Sequence, residues 1–305
     1  VFVAAMAAVG YDAMCVGNHE LDHGVASLIE MIREAKVPAV LANVRDKEGD
    51  RVDWAPPYRV FERAGLKVAV VGLVTQVTPS ITHSDAKEVT FCDPAEELSK
   101  VREELGDEVD LVIPATHLGV GTDRELARAH PDLVFIAGGH SHTFLREGVL
   151  EGEVQIGQVG SKASAYGRLD LWFDTETKRV TRREYRVTSL MEEPSESARV
   201  GQVEELCAAL VAKSDAVMSE VVGELTAPLD RARSSIESSA AGNLIADTLA
   251  WHFDADCGFQ NRGGIRCDLS KGPVTRRDLF EILPFGNHLV LEVAEGEFLF
   301  LTQLL

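Results

Sequence analysis

Apolar residues gather along this chain in short runs separated by longer stretches of helical period. The runs Ala13–Val16, Pro38–Leu41, Lys67–Leu73, Leu111–Pro114, Leu133–Ala137 and Arg168–Phe173 predict strands. Helical spacing predicts helices over Val25–Ala35, Ala95–Glu104 and Thr122–Ala129, and the opening Val1–Val9 reads as part of another. The alternation indicates a layered α/β domain with loops at strand ends available for chemistry. Later strands, around Val154–Gln158 and Tyr166–Phe173, follow one another without helices, so the sheets are expected to be mixed.

The pattern changes at Thr188–Arg199, a polar stretch holding Glu-Glu-Pro-Ser-Glu-Ser, which reads as a boundary. Val203, Leu206, Cys207, Leu210 and Val211 then recur at helical spacing, predicting a linking helix over Val200–Val217. A second unit begins near Val221. Its expected order is strand, helix (Ser238–His252), strand (Cys257–Gln260), Gly-rich loop, helix (Arg276–Leu283) and strand (Leu289–Val293), with an apolar stretch over Gly296–Leu305.

At 305 residues the chain has room for two ordinary domains. The 49 acidic against 30 basic residues give a formal charge of −19, which excludes a protein that grips nucleic acid through phosphate contacts. The five cysteines are never spaced as CxxC, so neither a disulfide framework nor a zinc ribbon is expected. No apolar run reaches the length of a membrane span.

Chemistry concentrates in three places. Gly17-Asn18-His19-Glu20-Leu21-Asp22 lies between a predicted strand and a helix. Asn18 offers a carbonyl oxygen to a cation, and Asp22 stands one helical turn from His19, where a carboxylate can fix an imidazole's tautomer. An Asn-His turn with a helix-capping acid accounts for the same six residues equally well. His117, in Thr116-His117-Leu118-Gly119, is by itself the pattern of an ordinary satisfied histidine. Gly138-Gly139-His140-Ser141-His142-Thr143 places two imidazoles at i and i+2 beside a double glycine, which favours metal binding over a plain turn. Together the loops deliver Asn18, His117, His140 and His142 after three strands, with His19 beside them. Mixed N and O donors without thiolate suit Zn, Mn, Fe or a pair of these.

In order and spacing, GNHELD, THLG and GGHSHT resemble the later motifs of the dinuclear metallophosphoesterases, in particular the 5′-nucleotidase branch that includes bacterial 5′-nucleotidase/UDP-sugar hydrolases. Gly242-Asn243-Leu244-Ile245-Ala246-Asp247, Asn261-Arg262-Gly263-Gly264-Ile265-Arg266 and Leu283-Pro284-Phe285-Gly286-Asn287 resemble the C-terminal nucleotide-binding domain of that family. The resemblance implies a four-layer αββα catalytic domain over residues 1–195, a linker helix over 196–219 and an incomplete α/β substrate-binding domain over 220–305. It further implies that Asn18, His117, His140 and His142 hold two divalent metal ions (Zn, Mn, Fe, Mg or Co), and that His19, oriented by Asp22, is catalytic. Asn261, Gly263, Arg266 and Phe285 would contact a nucleotide substrate, and export to the periplasm, cell wall or cell surface is expected.

The implied reaction is hydrolysis of a nucleotide phosphoester or nucleotide-sugar pyrophosphate, with two cations polarising the phosphoryl group and activating a water for in-line attack. A 2′,3′-cyclic-nucleotide phosphodiesterase/3′-nucleotidase, a thiol esterase of sulfur oxidation and a non-catalytic nucleotide binder are the alternatives. The family's Asp-x-His and bridging Gly-Asp have no match before Gly17, and its second base-clamping aromatic has none before Leu305. On that resemblance the sequence is expected to be a piece missing both ends. With four ligands for two ions, it is expected to bind metal weakly and turn over little.

Overall fold

A computed structural model describes residues 2–35, 38–82, 84–190, 198–232, 237–285, 287 and 289–291. The chain divides into two compact units, Val1–Cys207 and Ala208–Leu305.

In the first unit the order is α1 (Phe2–Val9), β1 (Met14–Cys15), α2 (Val25–Ala35), β2 (Ala39–Val40), β3 (Val44–Arg45), β4 (Tyr58–Arg63), β5 (Leu66–Val74), α3 (Thr78–Ile81), β6 (Thr90–Phe91), α4 (Pro94–Leu105), β7 (Leu111–His117), α5 (Val120–Ala129), β8 (Phe135–Ala137), β9 (Val149–Glu151), β10 (Val154–Gly157), β11 (Ala165–Asp174) and β12 (Arg179–Ser189). Six strands form one mixed sheet in the order β4-β5-β7-β8-β10-β9. Its interior strands β5, β7, β8 and β10 run parallel, and an antiparallel strand closes each edge.

Both faces of this sheet are covered, so β5 reads as a nearly unbroken apolar run, Leu-Lys-Val-Ala-Val-Val-Gly-Leu-Val. On one face, Leu98, Val101 and Leu105 of α4 and Leu126 and Ala127 of α5 pack on Ala69, Val71, Ile136 and Ile156. A second cluster joins α2 to the β1-β2 pair, with Val25, Leu28, Met31 and Ile32 around Val16, Ala39 and Leu41. Helix, sheet, sheet and helix make the four αββα layers. Asp93 caps α4 by accepting from the amides of Ala95 (2.9 Å) and Glu96 (3.0 Å), with Pro94 in the first turn where its missing N–H costs nothing.

A 21-residue helix, α6 (Ala198–Met218), crosses the division between the units. The second unit pairs β13 (Val221–Leu225) with β14 (Gly272–Thr275) antiparallel and adds α7 (Ala240–Phe253) and α8 (Arg276–Ile282). Ala241, Ile265, Leu269 and Ile282 form its small core. Two expectations are corrected here. Cys257–Gln260 joins no sheet: Gly258 lies so close to α7 that a Cβ on it would sit 2.1 Å from the Ala246 carbonyl oxygen, and the segment is held by the helix instead. The strand that pairs with β13 is β14. Leu289–Leu291 is likewise not a strand, while the rest of that run, Gly286 and the apolar stretch 296–305 lie outside the described residues.

None of the five cysteines is in a disulfide; Cys207 and Cys257 are exposed and Cys15, Cys92 and Cys267 half-buried, not mostly buried as the composition suggested. Among the described residues, no helix is long and apolar enough to cross a membrane.

Candidate active site

Parallel pairing explains why distant motifs meet. Val74 stands opposite His117 in the β5-β7 register, and Ala115 opposite Ala137 in the β7-β8 register. The chain therefore leaves β7 at His117 and β8 at Gly138 at the same end of the parallel strands, where the short helical turn Asn18–Leu21 that follows β1 also arrives. Gly17 permits the approach, since a Cβ there would fall 2.8 Å from the His117 ring. The Gly17 amide donates to Glu20 Oε2 at 2.7 Å, which fixes the turn.

Asn18 is buried at 2% exposure, and its Oδ1 lies 2.8 Å from His117 Nε2 and 3.2 Å from His140 Nδ1. The two imidazole rings are tilted at 59° with centroids 4.9 Å apart. Two donors each about 2.1 Å from one ion and at right angles are about 3 Å apart, so the distance from Asn18 Oδ1 to each nitrogen suits a pair of donors on one divalent cation. His142 and His19 are close enough that their charges depress the basicity of both His117 and His140. Burial is the larger cause, and it brings His117 down to about 4. Both rings are thus neutral at pH 7, the form that binds a metal. Among the described residues, no group of three or more His, Cys, Asp and Glu side chains is arranged to hold an ion. The donor set fits part of one cation's shell, through one carbonyl oxygen and imidazole nitrogens. It does not supply the carboxylates that two adjacent dications require.

His19 stands beside this group with its Nδ1 2.8 Å from Asp22 Oδ2. Asp22 is itself held, because Thr82 Oγ1 donates to its Oδ1 at 2.9 Å. A carboxylate at this distance favours the tautomer with the proton on Nδ1.

Two buried polar residues absent from the sequence-based expectations support the loops. Asp123, fully buried in α5, accepts from Thr116 Oγ1 at 2.6 Å, and its other oxygen has no partner. A Cβ on Gly138 would come within 2.4 Å of that second oxygen. Gln158, 2% exposed, bonds to the loop that carries His140 and His142. Each carried a signal in the sequence: Asp123 shares a helical stripe with Leu126 and Ala127, and Gln158 continues the inward register of Val154 and Ile156.

In the second unit the expected substrate contacts lie near one another. Arg266 Nη1 donates to the Gly263 carbonyl at 3.1 Å, and its guanidinium sits 5.4 Å from the centroid of the Phe285 ring. Asn261 precedes the short turn Arg262–Gly264, and its Oδ1 accepts from Gln260 Nε2 at 2.9 Å.

The depressed basicity of His117 has a consequence for stability. A histidine whose folded value lies below its unfolded one is stabilising above pH 6.5, and that contribution is lost as the pH falls from 6.5 through about 4. The metal-free protein is expected to weaken over that interval, and His117→Ala to flatten the loss. Urea midpoints measured between pH 4 and 7 check this, and parallel curves would contradict it.

An αββα sandwich that gathers Asn18, three metal-type imidazoles and a His–Asp pair at one end of the parallel strands defines the metallophosphoesterase class of folds. Residues 221–299 match the family described as the 5′-nucleotidase, C-terminal domain. A solved structure, the 5′-nucleotidase precursor from Thermus thermophilus, superposes with a TM-score of 0.79 at 28% identity over 94% of this chain and 61% of that one. The 5′-nucleotidase of Vibrio cholerae is 28% identical over 92% of this chain and 59% of its own length. Endonuclease YhcR of Bacillus subtilis is 28% identical over 97% of this chain but only 26% of its own. The chain is thus similar to 5′-nucleotidases over most of its length and carries a match to their C-terminal domain over residues 221–299. It spans 61% or less of the length of each of these three proteins.

Proposed function

We propose that the protein hydrolyses the phosphoester of a nucleotide, acting as a 5′-nucleotidase, a UDP-sugar hydrolase or both. The observation that carries this reading is the meeting of Asn18, His117 and His140 beside the His19–Asp22 pair. Asn18, His117, His140 and His142 would hold divalent cation, which when bound polarises the phosphoryl oxygens and makes water a better nucleophile. His19, its ring set by Asp22, would stabilise the charge gathering on the transferring phosphoryl group or protonate the departing ribose oxygen from Nε2. Residues 1–195 would carry this chemistry, 196–219 link, and 220–305 recognise the nucleoside. There Arg266 offers a planar donor fork to oxyanions, Phe285 an aromatic face to the base, and Asn261 and Gly263 polar backbone and side-chain groups. Export belongs to the same reading, and the Thermus relative is described as a precursor.

A nucleic-acid strand is the less suitable substrate. The charge of −19 opposes a polyanion, and the Bacillus endonuclease shares with this chain only 26% of its own length. Among the described residues the donors are neutral with no clustered carboxylate, which suits a second reading, a nucleotide binder with little turnover.

The test is phosphate release from 5′-AMP, UDP-glucose, 2′,3′-cAMP and single-stranded DNA with Mn²⁺. Slow release from 5′-AMP or UDP-glucose is expected, reduced about 10²–10⁴-fold by His19→Ala. Release that His19→Ala leaves intact would remove His19 from catalysis. Tight 5′-AMP binding without release from any substrate would establish the binder.

A further inference from the structure

We propose that Gln158 is a positioning residue that sets the spacing of His140 and His142 by gripping the residues between and around them. This rests on the reading of those histidines as metal-binding. The strand β10 turns Val154 and Ile156 inward at 0% exposure, and Gln158 follows on the same register at 2%. A primary amide buried at an apolar position needs hydrogen-bond partners. Its partners in the structure all belong to one five-residue loop. Nε2 donates to the Gly139 carbonyl at 2.9 Å, while Oε1 accepts from Ser141 Oγ at 3.0 Å and from the Thr143 amide at 2.5 Å.

The gripped residues are 139, 141 and 143, and the two that alternate with them are the imidazoles. His140 and His142 have φ of 75° and 55°, left-handed backbone that a residue with a Cβ adopts at a cost. Something must hold the loop there, and the Gln158 amide does so while His140 Nδ1 lies 3.2 Å from Asn18 Oδ1. Ser141 adds a second tie, its Oγ accepting from the Val120 amide at 3.2 Å, and the Gly119 amide donates to the Gly139 carbonyl at 3.0 Å. The loop after β8 is thereby keyed to the loop after β7, the two loops that carry the histidines.

Gln158→Met keeps the volume and removes the three bonds. In metal-free protein, amide hydrogen exchange at Ser141 and Thr143 is expected to quicken at least tenfold, and the ring ¹H–¹⁵N signals of His140 and His142 to move, with exchange in β5 and β7 unchanged. In a Co²⁺ titration the affinity is expected to fall roughly 10–100-fold with an altered visible absorption band. Exposed Ser141→Ala removes one of the three bonds to Gln158, together with the Oγ contacts to the Val120 amide and Thr143 Oγ1, and leaves the buried amide; it is expected to move the same signals and serves if Gln158→Met does not fold. Exchange and ring signals identical to the unmodified protein in the folded variant would overturn the proposal, as would unchanged Co²⁺ affinity where His140→Ala abolishes it. If the unmodified protein binds no Co²⁺, the metal reading fails, and exchange and ring signals alone decide whether Gln158 positions the loop.

Discussion

Replacing Gly72 with alanine is expected to cost roughly 3 kcal/mol or more, a large part of the 5–15 kcal/mol that typically holds a domain together. Gly72 lies where β5 meets the end of β2 and the residues that follow it. Its carbonyl accepts from the Ala42 amide at 2.7 Å, and its amide donates to the Pro57 carbonyl at 3.2 Å. A Cβ would fall 2.0 Å from the Val40 carbonyl oxygen and 2.4 Å from its carbon. Both obstacles are backbone of β2, which is itself paired to β1 through Met14 opposite Ala39 and Cys15 opposite Val40. No rotamer change relieves the clash. The layers must separate, which breaks the Ala42–Gly72 bond and loosens the core around Leu41, Val16 and Val74. Urea unfolding measures the loss. Gly121→Ala is the control: Gly121 lies in α5 with nothing within 4 Å of a new Cβ, and the change is expected to add about 0.5 kcal/mol through helix propensity. A Gly72→Ala midpoint equal to that of the unmodified protein would mean the two sheets do not touch there.

The second large effect depends on pH. Burial raises the Asp123 carboxyl from 3.8 to about 7, against the opposing pull of its bond from Thr116. Below about pH 4 the group is protonated in both folded and unfolded chains and costs nothing. As the pH rises, the unfolded chain ionises freely while the folded chain must hold the proton or bury a charge. Stability therefore falls from about pH 4 through about 7, by on the order of 4 kcal/mol in the metal-free protein. Asp123→Asn keeps an acceptor for Thr116 Oγ1 and carries no charge. The difference between the two unfolding free energies, followed from pH 4 to 8 in the presence of a chelator, should swing toward the variant by that amount. A constant difference would mean that Asp123 ionises in the folded state as easily as in the unfolded one.

Much of this architecture is legible in the sequence where one physical signal acts alone. Val25, Leu28, Met31 and Ile32 specify α2 from its first residue to its last, because a single apolar stripe meets a single core. The interior strands β5 and β7 are legible because double burial makes them continuously apolar. Strands β4 and β12 are not: Tyr-Arg-Val-Phe-Glu-Arg and Arg-Val-Thr-Arg-Arg-Glu-Tyr-Arg-Val-Thr-Ser spread charge through runs whose pairing is decided by a neighbouring strand rather than by burial. The same cause hid β14, which begins Gly-Pro and becomes a strand only opposite β13. At the site, spacing within a motif made Asn18, His19, Asp22, His140 and His142 candidates. The meeting of Asn18 with His117 across 99 positions depends on strand order. Asp123 and Gln158 escaped notice because their partners lie in other loops, although a polar residue on an apolar register marks each.

The two outer strands of the six-stranded sheet bear on how copies of this protein meet one another. A long, uncharged border strand would offer a row of free amides and carbonyls to any passing chain. Here one border is β9, only three residues long, and the other is β4, whose exposed Arg59, Glu62 and Arg63 place charges along the rim. Short or charged borders of this kind discourage strand-by-strand joining of molecules. The six-stranded sheet thus gives crowded copies of the protein little to stitch into a fibre.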